Sequence, residues 1–161
     1  MNDKLIDIMA LISAIHNTAK RYHWQCEGPN FYESHLFFDR IADIFNQEVV
    51  DTLAEAWYMN NGRDNIVELN LLDALIAEKV GKQFIREELH SSEITLEMLK
   101  QLAAMIAILL EKIKTEAYGQ GVSNKLDELA QSSSQILGLI KARLQDSQIN
   151  RVTARLTRNK A

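Results

Sequence analysis

Glycine and proline are scarce in this chain, with six of the first and one of the second in 161 residues. That leaves little turn chemistry for an all-β fold and favours a few long helices. Cysteine is nearly missing. Cys26 is alone and has no internal disulfide partner, which is compatible with a reducing cytoplasm; it reads as a passive residue at a helix end rather than a nucleophile. Long apolar runs are missing too, since none approaches the ~20 residues that span a bilayer. The opening MNDKLIDIMALI has charges inside its apolar region and no cleavage pattern, unlike a signal peptide. Positive charge is not in excess either. A net charge of −4 and a pI near 5.6 argue against a surface given over to nucleic acid and leave room only for a local basic segment. What remains is ordinary for a soluble protein, 47% apolar and 25% charged, and the length suits one domain, taken as residues 1–161.

The apolar pattern is helical. Leu5, Ile8, Ile12, Ile15, Ala19 and Tyr22 recur at steps of three and four, the stripe of an amphipathic helix. His23 continues that stripe. Asp3 suits the start of this helix, and Gly28-Pro29-Asn30 ends it near Cys26. Phe31 to Asn60 contains no glycine or proline, and Leu36, Ile41, Ile44, Phe45, Val49 and Leu53 give it an apolar side. This predicts one long second helix, closed by Asn61-Gly62. Leu69, Leu72, Ala74, Leu75 and Ile76, within the less periodic stretch Asn65–Leu89, suggest a short helix before Gly81. Thr95 precedes Leu96, Leu99, Leu102, Ile106, Leu109, Leu110 and Ile113, so a third long helix is predicted from Leu96 to Tyr118, stopped by Gly119-Gln120-Gly121. Ser123 is the expected N-cap of a fourth, with Leu126, Leu129, Ile136, Leu137, Ile140 and Leu144 on its inner face. Two hairpins joined by a long crossover make an all-α, ferritin-like four-helix bundle with a short extra helix between helices two and three.

Four residues separate His35 from Asp39, and four separate Asp51 from Glu55, so each pair stacks one helical turn apart. Asp39 and Asp51 are twelve residues apart, about 18 Å along a helix. An ion held at roughly 2.0–2.2 Å from its ligands cannot bridge that distance within one chain. Either two separate half-sites exist, or the second helix meets an antiparallel copy of itself across a two-fold axis. In the second case Asp51 and Glu55 of one subunit face His35 and Asp39 of the other, and His23 joins from the end of helix one. Such imidazole and carboxylate donors suit Fe²⁺, Zn²⁺ or Mn²⁺.

The pattern HW-x₃-G-x-N-F-x₃-H-x₃-D, followed by D-x-x-A-E, is written here by His23, Trp24, Gly28, Asn30, Phe31, His35, Asp39, Asp51, Ala54 and Glu55. It resembles the ferroxidase signature of the Dps family, dodecameric mini-ferritins that protect DNA during starvation. The resemblance covers about a fifth of the chain by motif. It implies that His23, His35 and Asp39 are iron ligands from one subunit, and that Asp51 and Glu55 come from its two-fold mate. It also implies a cytoplasmic iron-oxidising activity that prefers hydrogen peroxide and stores ferric oxide in a shell of twelve subunits, with Zn²⁺ or Mn²⁺ able to substitute for iron. Trp24 is then either a ring over the site that quenches radicals or an interface aromatic. His16 reads as a core or interface residue and His90 as surface.

One departure matters. Eleven residues lie between Asp39 and Asp51, against ten in the family pattern, and one extra residue rotates a regular helix by about 100°. A π-bulge between Arg40 and Val50 would absorb it. Alternatively Asp43, Gln47 or Glu48 supplies the second half-site, or that half is lost.

The lysine-rich N-terminal arm with which many members of the family bind DNA has no counterpart in Met1 to Lys4. Residues 149–161 read instead as a basic C-terminal tail, with Arg151, Arg155, Arg158 and Lys160 and no acid after Asp146. Twelve such tails would hold phosphates weakly by avidity; otherwise the arginines extend helix four. The rival to a ferroxidase is therefore a DNA-compacting or structural shell with a degenerate metal site. A rubrerythrin-like diiron protein is disfavoured, because no Glu-x-x-His pair occurs in the second or fourth helix.

Overall fold

α1 (Asp3–Gln25) is enclosed on nearly every side from Leu5 to Ile15. The computed structural model describes residues 3–62, 69–80, 91–114 and 118–158; His90, Lys160 and most of the two stretches that flank the crossover helix lie outside them. From Leu5 to Ile15 every side chain of α1 except Asp7 is buried. The stripe expected from the sequence is thus only one side of a helix that is apolar nearly all round, and such a helix needs neighbours on every face. It has them: α2 (Phe31–Ile44), α3 (Gln47–Asn61), α4 (Leu69–Val80) and α5 (Ser91–Lys114) all pack on it. α6 (Gln120–Arg158) packs on α5, α3 and α2. The chain is all-helical, with no strand among the described residues.

Most of the predicted core positions of the later helices are buried, while Leu96, Leu110, Leu137 and Leu144 are half-buried and Met98 joins the core without having been predicted. Met98, Leu99, Leu102, Ile106, Leu109 and Ile113 of α5 are buried against Leu126, Leu129, Ile136 and Ile140 of α6. Each fully buried aliphatic side chain is worth about 1.5–3 kcal/mol. α4 is the crossover helix, and its Leu72 joins the same core.

Several details differ from the sequence reading. α5 is already helical at Ser91, five residues before the predicted start at Leu96, and is described as far as Lys114. α6 begins at Gln120, so Ser123 lies inside it; its Oγ donates to Tyr118 O at 2.7 Å and does not cap. The backbone of residues 149–158 continues α6 instead of leaving as a tail. Leu36, assigned to the apolar side of helix two, is 49% exposed.

The largest difference is in helix two. It is not one helix from Phe31 to Asn60, and no π-bulge occurs between Arg40 and Val50. The helix stops after Ile44, and Asn46 takes an extended backbone (φ −75°, ψ 169°) before α3 begins. Asn46 Oδ1 accepts from Val49 N at 3.2 Å, an N-cap bond, and its Nδ2 donates to Asp43 O at 2.9 Å. Asparagine is among the best N-cap residues, and Glu48 adds a favourable charge in the first turn of α3. α3 then ends as anticipated at Asn61, with Gly62 at φ 79° donating its N–H to Tyr58 O.

Asp7 ties three helices together. Lys79 of α4 reaches its Oδ1 at 2.7 Å and Lys112 of α5 its Oδ2 at 2.5 Å. Burial by itself pushes this carboxyl up, but the hydrogen bonds and charges of Lys112 and Lys79 outweigh it and hold it below the ordinary range. A carboxyl held low in the fold stabilises above its unfolded value of about 3.9 and loses that contribution as pH falls through the folded value. Asp7→Asn is therefore expected to lower the melting temperature at pH 7 by about 2–4 °C, the equivalent of roughly 1 kcal/mol. The deficit should shrink as both proteins are melted at progressively lower pH through the acid range.

Candidate functional site

The C-terminal end of α1 and the first three turns of α2 bring His23, His35 and Asp39 together. Gly28, at φ 100°, turns the chain back between them. Beyond the buried part of α1, its last turn leaves carbonyls without intrahelical partners, and one of these is used. His35 Nδ1 lies 2.8 Å from His23 O, and His23 Nδ1 lies 2.8 Å from His35 O. The two imidazoles are stacked, with centroids 3.7 Å apart and planes at 23°. Phe31 stacks on the outer face of His35 at 5.2 Å.

A carbonyl oxygen can only accept, so each Nδ1 carries the hydrogen and donates. In the neutral ring the lone pair is then on Nε2. Both histidines are fixed by main-chain acceptors in the tautomer that metal-ligating histidines use, with the ligand nitrogen left free.

Asp39 is turned toward α1. Its Oδ1 is 2.5 Å from Lys20 Nζ and 4.0 Å from His23 Nδ1. The hydrogen bond from Lys20 is the main reason its carboxyl is held below the ordinary range; the Lys20 charge and the two imidazoles act in the same direction, against a small opposing effect of burial. Lys20 had no role in the sequence reading, although a residue three before His23 falls on the same helix face. It also lines a groove of about 530 Å³ with His16, Asn17, Arg21, Trp24 and Val80. His16 itself is a structural residue, with its Nδ1 2.8 Å from Ala42 O on α2.

Asp51 and Glu55 lie on α3, beyond the break, and both are exposed, as are Asp43, Gln47 and Glu48. The single chain does not bring them to the histidines. Among the described residues, no group of three or more His, Cys, Asp or Glu side chains is arranged to hold a metal ion.

Comparison with protein-family models, with curated proteins and with solved structures found no match to this chain. The reading of the site therefore rests on its own chemistry.

Large apolar side chains are exposed in the same stretch of sequence as the histidines: Trp24 is 73% exposed and Tyr32 70%, and Phe31, stacked on His35, and Leu36 are also exposed. Cys26 is buried beneath, its Sγ 3.5 Å from His23 O. Burial pushes its thiol up, which disfavours the thiolate and agrees with a passive role.

If Lys20 sets the state of Asp39, Lys20→Met is expected to move the protonation midpoint of Asp39 up toward the ordinary carboxylate value. A carboxyl-carbon NMR titration reads this directly. A midpoint unchanged by the substitution would mean that the ion pair does not form in solution. Because the pair is more than a third exposed on the carboxylate side, the cost in stability should stay below about 1 kcal/mol.

Proposed function

We propose that this chain is a Dps-like mini-ferritin: a ferroxidase that takes Fe(II) as substrate, oxidises it preferentially with hydrogen peroxide, and stores the ferric product in a ferritin-like shell. The observation that most supports this reading is the crossed pair of His23 and His35 hydrogen bonds, which fixes two stacked, half-buried imidazoles through their Nδ1 atoms. Each Nδ1–H bound to a carbonyl sets the orientation of its ring and leaves Nε2 as the nitrogen that would take an ion. Asp39 is the third donor from the same chain, kept ionised by Lys20 until an iron ion displaces the ammonium.

A complete coordination sphere needs more. The proposal assigns it to a two-fold partner, whose Asp51 and Glu55 add carboxylates opposite His23, His35 and Asp39. Trp24, Phe31, Tyr32 and Leu36 are the apolar surface that such a contact would cover. With two iron ions held together, each gives one electron, the O–O bond of peroxide accepts both, and its oxygens leave as water or enter the ferric oxide. No single-electron step releases a hydroxyl radical. The set of nitrogen and oxygen donors also admits Zn²⁺ or Mn²⁺ in place of Fe²⁺. No helix among the described residues is long and apolar enough to cross a membrane, and a reducing cytoplasm is the compartment that supplies Fe(II).

The test is the rate at which ferric absorbance grows after Fe²⁺ is mixed with peroxide or with air. A fast peroxide-dependent rise is expected, slowed at least about tenfold by His35→Ala or Asp39→Ala. Variants indistinguishable from the parent would remove the site assignment. Mass in solution should correspond to about twelve copies of the 18.4 kDa chain.

The alternative is a DNA-compacting shell with a degenerate metal site. It draws on the exposed Arg155 and Arg158 at the end of α6. Retardation of DNA in a gel at low salt that vanishes at physiological salt would support it; no retardation at low salt would exclude it.

A further inference from the structure

The family signature leaves this chain one residue too long between Asp39 and Asp51, and the break at Asn46 lies in that interval. Burial on the two sides of the break measures what it does. On α2, Phe38 is buried, Asp39 follows it, and Ile41 and Ala42 are buried three and four residues after Phe38. On α3, Val50 is buried, Asp51 follows it, Leu53 is buried, and Ala54 packs partly against the core. The second set repeats the first with a shift of twelve.

A continuous helix cannot do this. Twelve residues turn it about 120° past three full turns, whereas eleven leave it only about 20° out of phase. With Phe38 and Ile41 facing the core, an unbroken helix would point Val49 and Thr52 inward, and would turn Val50 and Asp51 away. In the structure Thr52 is half-exposed, with its Oγ1 bound to Glu48 O. Both α2 and α3 pack on α1 and contribute to one core, so Asp39 and Asp51 are displaced from the buried side in the same rotational sense. Glu55 sits one turn beyond Asp51 on that side.

We propose that Asn46 is a positioning residue: it is the added residue of this signature, taken out of the helix by its own capping side chain, and it returns Asp51 and Glu55 to the side of the bundle on which His35 and Asp39 stand. The proposal rests on the ferroxidase reading and deepens it, because it selects Asp51 and Glu55 over Asp43, Gln47 and Glu48 as the carboxylates of the second half-site.

It makes an unusual forecast, that the residue can be deleted without harm to the site. Removing Asn46 leaves ten residues between Asp39 and Asp51, a separation of eleven, so α2 and α3 fuse with core and ligands both in phase. Moving the acid by one position, with Asp51→Thr and Thr52→Asp in the same chain, keeps composition and charge but rotates the carboxylate about 100°. Both proteins would be made at full length and checked for helicity and assembled mass. They would then be titrated with Co²⁺, whose visible absorption reports imidazole and carboxylate ligation, and assayed for Fe²⁺ oxidation with peroxide.

The deletion is expected to keep the Co²⁺ bands and to oxidise iron within about threefold of the parent. The swapped chain is expected to lose at least about tenfold in Co²⁺ affinity while folding normally. A deletion chain that fails to fold, or that folds and loses the Co²⁺ bands, overturns the proposal, as does a swapped chain that keeps them. A parent that neither takes up Co²⁺ nor oxidises iron overturns the ferroxidase reading itself, and this inference with it.

Discussion

Burial of α1 on every side is the constraint from which the rest follows. Eleven consecutive positions, Leu5 to Ile15, leave only Asp7 unburied, and Asp7 is held by lysines from two neighbouring helices. A helix so enclosed cannot shift along its axis or rotate without exposing apolar surface at about 25 cal/mol per Å². Its last two turns, where the pattern opens and Lys20, His23 and Trp24 reach the surface, are therefore presented from a fixed base. α2 returns along that base and is anchored at three further points: His16 on Ala42 O, Tyr22 edge-on to Phe38, and Arg143 Nη2 donating to Ser34 Oγ at 2.5 Å. The crossed histidine bonds form between two elements already held in place. Preorganisation of this kind is what the proposed ligand role of the two histidines requires.

Electrostatics at the site are balanced rather than neutral by default. Lys20 answers the charge of Asp39 from within the same chain. The cation is exchangeable because it sits at the surface on a flexible stem, where an ion pair is worth at most about 1 kcal/mol, less than the bonds a divalent ion would make with the same oxygen. Trp24, Phe31, Tyr32 and Leu36, from the same stretch of sequence, are exposed; under the ferroxidase reading a second copy of the chain covers them and supplies the remaining donors.

Much of the architecture was legible from spacing alone. Steps of three and four located α1, α4, α5 and α6, and Gly28-Pro29-Asn30 and Asn61-Gly62 marked real ends. His23, His35 and Asp39 could be grouped in advance because one pair is four apart on a helix and the third residue lies across a tight turn. What was not legible depended on phase or on partners. Lys20 was invisible because a lone lysine on a helix ordinarily serves solvent. Ser123 looked like a cap, yet the turn before it already satisfied the helix start. The break at Asn46 was hidden because it uses neither glycine nor proline, the signals by which helix ends are usually read. Two weaker signals were present. Asn46-Gln47-Glu48 is a plausible helix start, and the fully buried stripe Phe38, Ile41, Ala42, Phe45 passes to Val50 and Leu53, with Val49, Ala56 and Trp57 only partly packed against the core.

Energetics explain why the slip yields a break rather than a π-bulge or a continuous helix. Continuing the helix would turn Val50 out of the core in favour of Val49, would leave Leu53 about 20° from the line of Ala42, and would point Thr52 inward, where its hydroxyl would need a new partner. Breaking it leaves main-chain groups unpaired on both sides, a cost of the order of 1 kcal/mol or more for each group that stays unsatisfied. Asn46 satisfies one on either side, accepting from Val49 N and donating to Asp43 O, while Phe45 N still reaches Ile41 O at 3.4 Å. The local loss is thus largely offset by one side chain, and the core gain is retained in full. A π-bulge spreads its extra residue over a widened turn and keeps the helix axis; it supplies no side chain to cap the groups it frees. With asparagine at the point where the two apolar stripes fall out of phase, the break is the least costly solution, and the orientation of Asp51 and Glu55 follows from it.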